Sequence, residues 1–225
     1  MAIQIQGNGG VVAEVDGTTF RALRVTARPI NYGALGMYRS GAISGTMAAG
    51  LAGAAEVFQW RWSDGTNLGI VYAVSISAGA NVAATAAAIV GFAMTAARSW
   101  TVIGSSGTRL TLTGNNSKLR TSMGTSLVND AGISTTTGLT AGTKTLDANN
   151  LGAVALGIGT GALTVSPNFN LLPDTWLFNA FNEGHHPLVL AQNEGFVVRN
   201  GAVAWPATMT WNFAVNVAWA EALAF

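Results

Sequence analysis

Between residues 211 and 219 the chain alternates without a break: Trp211, Phe213, Val215, Val217 and Trp219 hold the odd positions, and Asn212, Ala214, Asn216 and Ala218 hold the even ones. Successive side chains of a strand point to opposite faces, so this run places all of its bulk on one side. Helical spacing would scatter the two tryptophans and the phenylalanine around an axis. The segment is therefore a strand with one buried and one open face.

The same period recurs upstream. Phe58, Trp60 and Trp62 alternate with Val57, Gln59 and Arg61, and Ile70, Tyr72, Val74 and Ile76 alternate again after Ser63-Asp64-Gly65-Thr66. This spacing predicts a hairpin of two long strands whose Asp64-Gly65 pair supplies a positive φ. Further strands are expected over 19–28, 89–102, 109–113 and 188–190, with 195–200 following across an Asn193-Glu194-Gly195 turn. The expected fold class is all-β, an antiparallel sandwich or jelly-roll-like domain. Short helices are predicted over 48–55 and 81–88, where alanine is dense.

Residues 104–167 are rich in Gly, Thr, Ser and Asn, including Thr135-Thr136-Thr137-Gly138 and glycines 152, 157, 159 and 161. Such composition predicts long loops, or order gained only against a partner. The expected organisation is an extended N-terminal arm over 1–18 and a single β-rich domain over 19–225, with a loop-rich insertion around 104–167. No repeat or heptad pattern interrupts it.

Charge is the unusual part of the composition. Only 9% of the residues are charged, against roughly 25% in an ordinary soluble protein. A folded monomer of 23.0 kDa exposes about 9,600 Å², so its charges fall roughly one per 450 Å². That spacing matches the largest apolar patches monomers carry, about 300–600 Å². Self-association or burial against other chains is the expectation.

Eleven basic and ten acidic residues leave a net charge of +1 and no basic stripe, so nucleic acid is not an expected partner. There is no cysteine, hence no disulfide framework and no thiolate metal site. The start Met1-Ala2-Ile3-Gln4-Ile5-Gln6 lacks the basic and apolar regions of a signal peptide, and synthesis and retention in a cytoplasm are expected. Residues 65–97 contain no acid or base, but Asn67, Ser75, Ser77, Asn81 and Thr85 interrupt them, which argues against a membrane span.

The candidates for chemistry are few. His185 and His186 beside Glu183 are adjacent, so they diverge and lack zinc-ligand spacing. No nucleophile elbow occurs. The acids are scattered, several beside turn glycines as in Asp16-Gly17, Asp64-Gly65 and Glu194-Gly195. Gly7-Asn8-Gly9-Gly10 lacks the Gly-Lys-Ser/Thr ending of a phosphate loop. Of seven tryptophans, Trp60, Trp62, Trp100, Trp211 and Trp219 read as core, while Trp205, which precedes Pro206, and Trp176, which follows Pro173-Asp174, are the expected exposed pair. The expectation is no catalytic, metal or cofactor-binding residue, and no enzyme.

Two longer blocks carry a resemblance. One combines Glu56-Val57-Phe58-Gln59-Trp60-Arg61-Trp62, Ser77-Ala78-Gly79-Ala80-Asn81 and Lys118-Leu119-Arg120-Thr121-Ser122. The other runs Pro187-Leu188-Val189-Leu190-Ala191-Gln192-Asn193-Glu194-Gly195-Phe196-Val197-Val198-Arg199, then Pro206-Ala207-Thr208 and Val217-Ala218-Trp219-Ala220-Glu221. Together they resemble a family of small virion proteins of tailed bacteriophages. The resemblance implies a capsid decoration, or cement, protein on the capsid exterior, a homotrimer joined to the major capsid protein, with no nucleic-acid or membrane partner. A tail-associated protein contacting bacterial surface carbohydrate is the alternative. It carries over no individual contact residue.

Overall fold

A computed structural model describes residues 15–16, 22–23, 35–160, 170–183 and 186–223. Two-residue strands β1 (Val15–Asp16) and β2 (Ala22–Leu23) pair with each other. The others are β3 (Gly36–Ile43), β4 (Glu56–Trp62), β5 (Leu68–Ala80), β6 (Ala88–Val102), β7 (Gly107–Arg109) and β8 (Asp130–Ser134). They continue with β9 (Thr143–Ile158), β10 (Asn170–Asn179), β11 (Leu188–Leu190), β12 (Glu194–Asn200) and β13 (Trp211–Ala222). One helical turn, α1 (Ala180–Glu183), follows β10.

The fold is all-β, as expected. One sheet has the order β10-β5-β13-β3 with β11 also pairing β5, and the other has the order β7-β8-β4-β12-β6-β9. Neighbouring strands pair antiparallel throughout both. The odd-numbered face of β13 lies against the six-stranded sheet, forming one core with Phe58 and Trp60 of β4, Phe92 of β6 and Phe196 of β12. Trp60 meets Trp219 edge to face between the sheets. Phe92 lies 5.7 Å from Trp211. Two sheets with interlocking inner faces make a sandwich.

Four expectations need correction. β4 and β5 do not form a hairpin, because they belong to different sheets. Asp64 Oδ1 accepts the backbone N–H groups of Thr66 and Asn67, so a side chain bends this corner, and Gly65 does not adopt a left-handed φ. Trp62 and Val71 thus end in one shared core, supplied by opposite layers.

Neither alanine-rich segment is helical. The backbone N–H groups of Ala48, Gly50 and Ala54 go to Thr136, Pro206 and Gly201, and those of Asn81 and Val82 both go to Thr210. A Cβ on Gly53 would strike the Ala202 carbonyl. Distant partners and close backbone approach outweigh helix propensity here. The strand expected over 109–113 lies instead at Gly107–Arg109.

Within the segment expected to be loop, residues 110–129 carry no strand, whereas β7, β8 and the sixteen-residue β9 occupy much of the rest. Leu156 and Ile158 of β9 are buried among small residues facing outward, so glycine and alanine mark the open side of an edge strand. At Gly152 the β9 backbone approaches the Leu177 carbonyl of β10 so closely that no side chain fits. This joins the edges of the two layers. The expected arm over 1–18 lies outside the described residues except for β1, and the expected strand over 19–28 is described only at Ala22–Leu23.

Candidate functional site: an open sheet face

The alternation that buries one side of β13 leaves Ala214, Asn216 and Ala218 on the other. Register places Gly41 and Arg39 of β3 beside Asn216 and Ala218. On the other flank stand Ser75 and Ala73 of β5, followed by Trp176 and Asn179 of β10. The two central strands carry small side chains and form a floor. Larger groups rise at the rims: Trp176 is 48% exposed, Phe181 57% and Leu119 61%.

The result is a groove of about 310 Å³ between Arg39, Tyr72, Leu119, Trp176 and Phe181. Its walls are fixed from below. Tyr72 and Phe181 are tilted against each other with centroids 4.8 Å apart. Asn216 donates to Ser75 Oγ, which itself donates to Asp174 at 2.6 Å. Burial pushes the Tyr72 phenol above its ordinary value, partly opposed by the Arg39 charge. The phenol stays protonated at neutral pH and keeps its hydrogen-bond donor.

This face offers flat rings, one guanidinium, amides and a phenol. Such a set can stack on flat surfaces and make hydrogen bonds. Apart from Asp174, the carboxylates whose side chains are described have tasks elsewhere: Asp130 pairs with Arg61, and Asp147 and Glu194 both pair with Arg98. Glu56 pairs with Lys144, and Asp64 caps its own turn, which holds its carboxyl below the usual range through the Asn67 and Thr66 N–H groups.

Glu221 is buried in the core, where it accepts from Ser126, the Leu127 N–H and Trp219 Nε1. Burial pushes its carboxyl upward, against those hydrogen bonds. Tyr38 stacks on Trp219, and burial followed by the Glu221 charge pushes its phenol up to about 12.

The sequence placed the five core tryptophans correctly, all of them buried. Trp176 is exposed as expected, but Trp205 is not. It is 2% exposed, stacks 3.8 Å from Trp211 and donates to Asn200. A tryptophan before proline was drawn inward by a ring partner that local sequence does not show. His186 is exposed with Nδ1 2.7 Å from the Pro187 carbonyl, while His185 lies outside the described residues. Among the described residues no three His, Cys, Asp or Glu side chains gather as a metal site, and no helix is long and apolar enough to cross a membrane.

Arg39, Tyr72 and Phe181 were missed as site residues. Only the small even-numbered residues of β13 signalled that this face is uncovered. Compared with protein-family models, curated proteins and solved structures, the chain matches none.

Proposed function

We propose that this chain is a structural protein of a tailed-phage virion, which decorates the capsid exterior and stabilises it by bridging major capsid proteins. The reading joins the sequence resemblance to one observation: the open sheet face combines exposed Trp176 and Phe181 with Arg39 around a nearly uncharged floor. Aromatic residues and arginine concentrate where protein interfaces gain most of their binding energy. A solvated sheet face normally carries alternating polar and charged residues instead.

Cementing adds buried interface between capsomers that internal pressure would otherwise separate. A standard interface buries about 1,600 Å², and a trimer engages several at once, so avidity multiplies modest contacts. The protein does this without turnover. Light scattering tests the assembly: the purified chain should have three times its 23.0 kDa mass, and a soluble monomer with no affinity for capsids would count against the reading.

The second reading is a tail-associated receptor-binding protein. Trp176 beside Asn179, with Asn216 across the floor, supplies a ring face and neighbouring amides that a sugar can stack on and bond to. Binding of purified protein to host surface glycan, lost in Trp176→Ala, would favour it over the capsid.

A further inference from the structure

Beyond the outer face of the six-stranded sheet, Ala97, Trp100 and Val197 form a small second core, backed by Ile103 and Leu146. Next to it lies a polar group of three side chains. Lys144 is 2% exposed over its side chain and Glu56 9%, and Gln59 is fully buried. Lys144 Nζ lies 2.8 Å from Glu56 Oε2, and Gln59 Nε2 donates to that same oxygen. The primary amine and the primary amide therefore meet one carboxylate oxygen.

The amide is held from its other sides too. Gln59 Nε2 donates to the Thr140 carbonyl at 2.8 Å, and Gln59 Oε1 accepts the Gly104 N–H at 2.8 Å. Any side chain at 104 would strike the Thr140 carbonyl, so glycine lets this N–H reach the amide. Lys144 Nζ also donates to the Ala141 carbonyl and lies 4.7 Å from the Trp100 ring centre.

The choice of lysine is informative. Nine of the eleven basic residues are arginine, the usual choice for a buried ion pair, and lysine occurs only at 118 and 144. What lysine offers and arginine does not is an amine that becomes nucleophilic on losing a proton. A buried carboxylate in contact with it can take that proton, and a fixed N–H on the target carbonyl stabilises the oxyanion formed by attack.

We propose that Lys144 and Gln59 become joined by an isopeptide bond formed within the folded chain, with Glu56 as the proton-transfer group. Glu56 takes a proton from the Nζ ammonium, and the Nζ lone pair attacks Gln59 Cδ. The carbonyl electron pair moves to Oε1, facing the Gly104 N–H. Glu56 then passes its proton to Nε2 and takes one from Nζ. The carbonyl re-forms as the Cδ–Nε2 bond breaks, and ammonia leaves with the last proton as ammonium. Amine and primary amide give a secondary amide with no redox change. The bond ties β4 to β9 in a chain that has no cysteine for a disulfide, and it restricts the unfolded chain in the way a disulfide does.

Mass spectrometry of the intact full-length protein, followed by protease digestion, tests this on the wild-type chain. The expected result is a mass one ammonia below that of the sequence and a branched peptide linking Lys144 to Gln59. K144R and E56Q, checked as folded by circular dichroism, should show the full mass and no branch. Folded wild-type protein with the full mass, or a deficit without the branched peptide, would overturn the bond. Loss of one water with a branch from Lys144 to Glu56 would overturn the assignment of Gln59 as the acceptor.

Discussion

Trp60 of β4 and Trp219 of β13 meet edge to face with ring centroids 5.8 Å apart, each contributed by a different sheet. The contact ties the two clearest alternating segments of the sequence into one core. It also separates residues that hold the fold from residues that face outward, and the predictions follow that division.

Phe213 lies between Phe92 and Trp211 and is 2% exposed. Phe213→Ala should lower unfolding stability by about 3–5 kcal/mol, because the ring leaves a cavity that its neighbours fill only partly. Urea denaturation measures this. Unchanged stability with loss of binding alone would contradict its place in the core.

Trp176→Ala should act the other way. The ring is half exposed, so stability should change by no more than about 0.5 kcal/mol. Affinity for capsids should fall by about 2 kcal/mol or more, as truncation of an interface hot spot does. Denaturation and a particle-binding assay on the same preparation separate the two effects.

Glu221 should make stability depend on pH. Burial raises its folded-state pKa above the unfolded value, so the fold binds the proton more tightly than the unfolded chain does. Its contribution is fully present below the unfolded carboxyl pKa and is lost as pH rises through the folded value. The melting temperature of Glu221→Gln, which cannot ionise, should gain on that of wild type as pH rises across this window. A difference that stays constant with pH would refute the assignment.

Much of the sandwich was legible because alternation is local. β13, β6 and β12 announce themselves through their own bulky residues. The partnership of β4 and β5 was not legible, since an Asx-capped corner and a hairpin turn share the same Asp-Gly spelling. β9 was obscured because outward positions such as Ala153, Ala155 and Gly157 are small, and small residues also spell loop. Of the open face, Trp176 could be anticipated, but Arg39, Tyr72 and Phe181 converge only through the pairing of β3, β5, β13 and β10. The Lys144, Glu56 and Gln59 group depends on a distant segment folding back over β4, which no local pattern encodes.

Removing residues 2–10 should leave the melting transition intact, because the main core is already closed by described residues from Tyr38 onward. Capsid binding should weaken if this Gly-rich stretch reaches neighbouring subunits. Differential scanning fluorimetry and particle sedimentation of the truncated chain check both parts, and unaltered binding would remove the arm from the account.

The most direct measurement compares heated particles that carry the protein with particles that lack it. Particles without it should assemble but release their DNA at lower temperature, and adding purified protein back should restore survival, because lost intercapsomer contacts lower the barrier to opening. Equal survival, with density for the chain located on the tail, would contradict the capsid role and favour receptor binding.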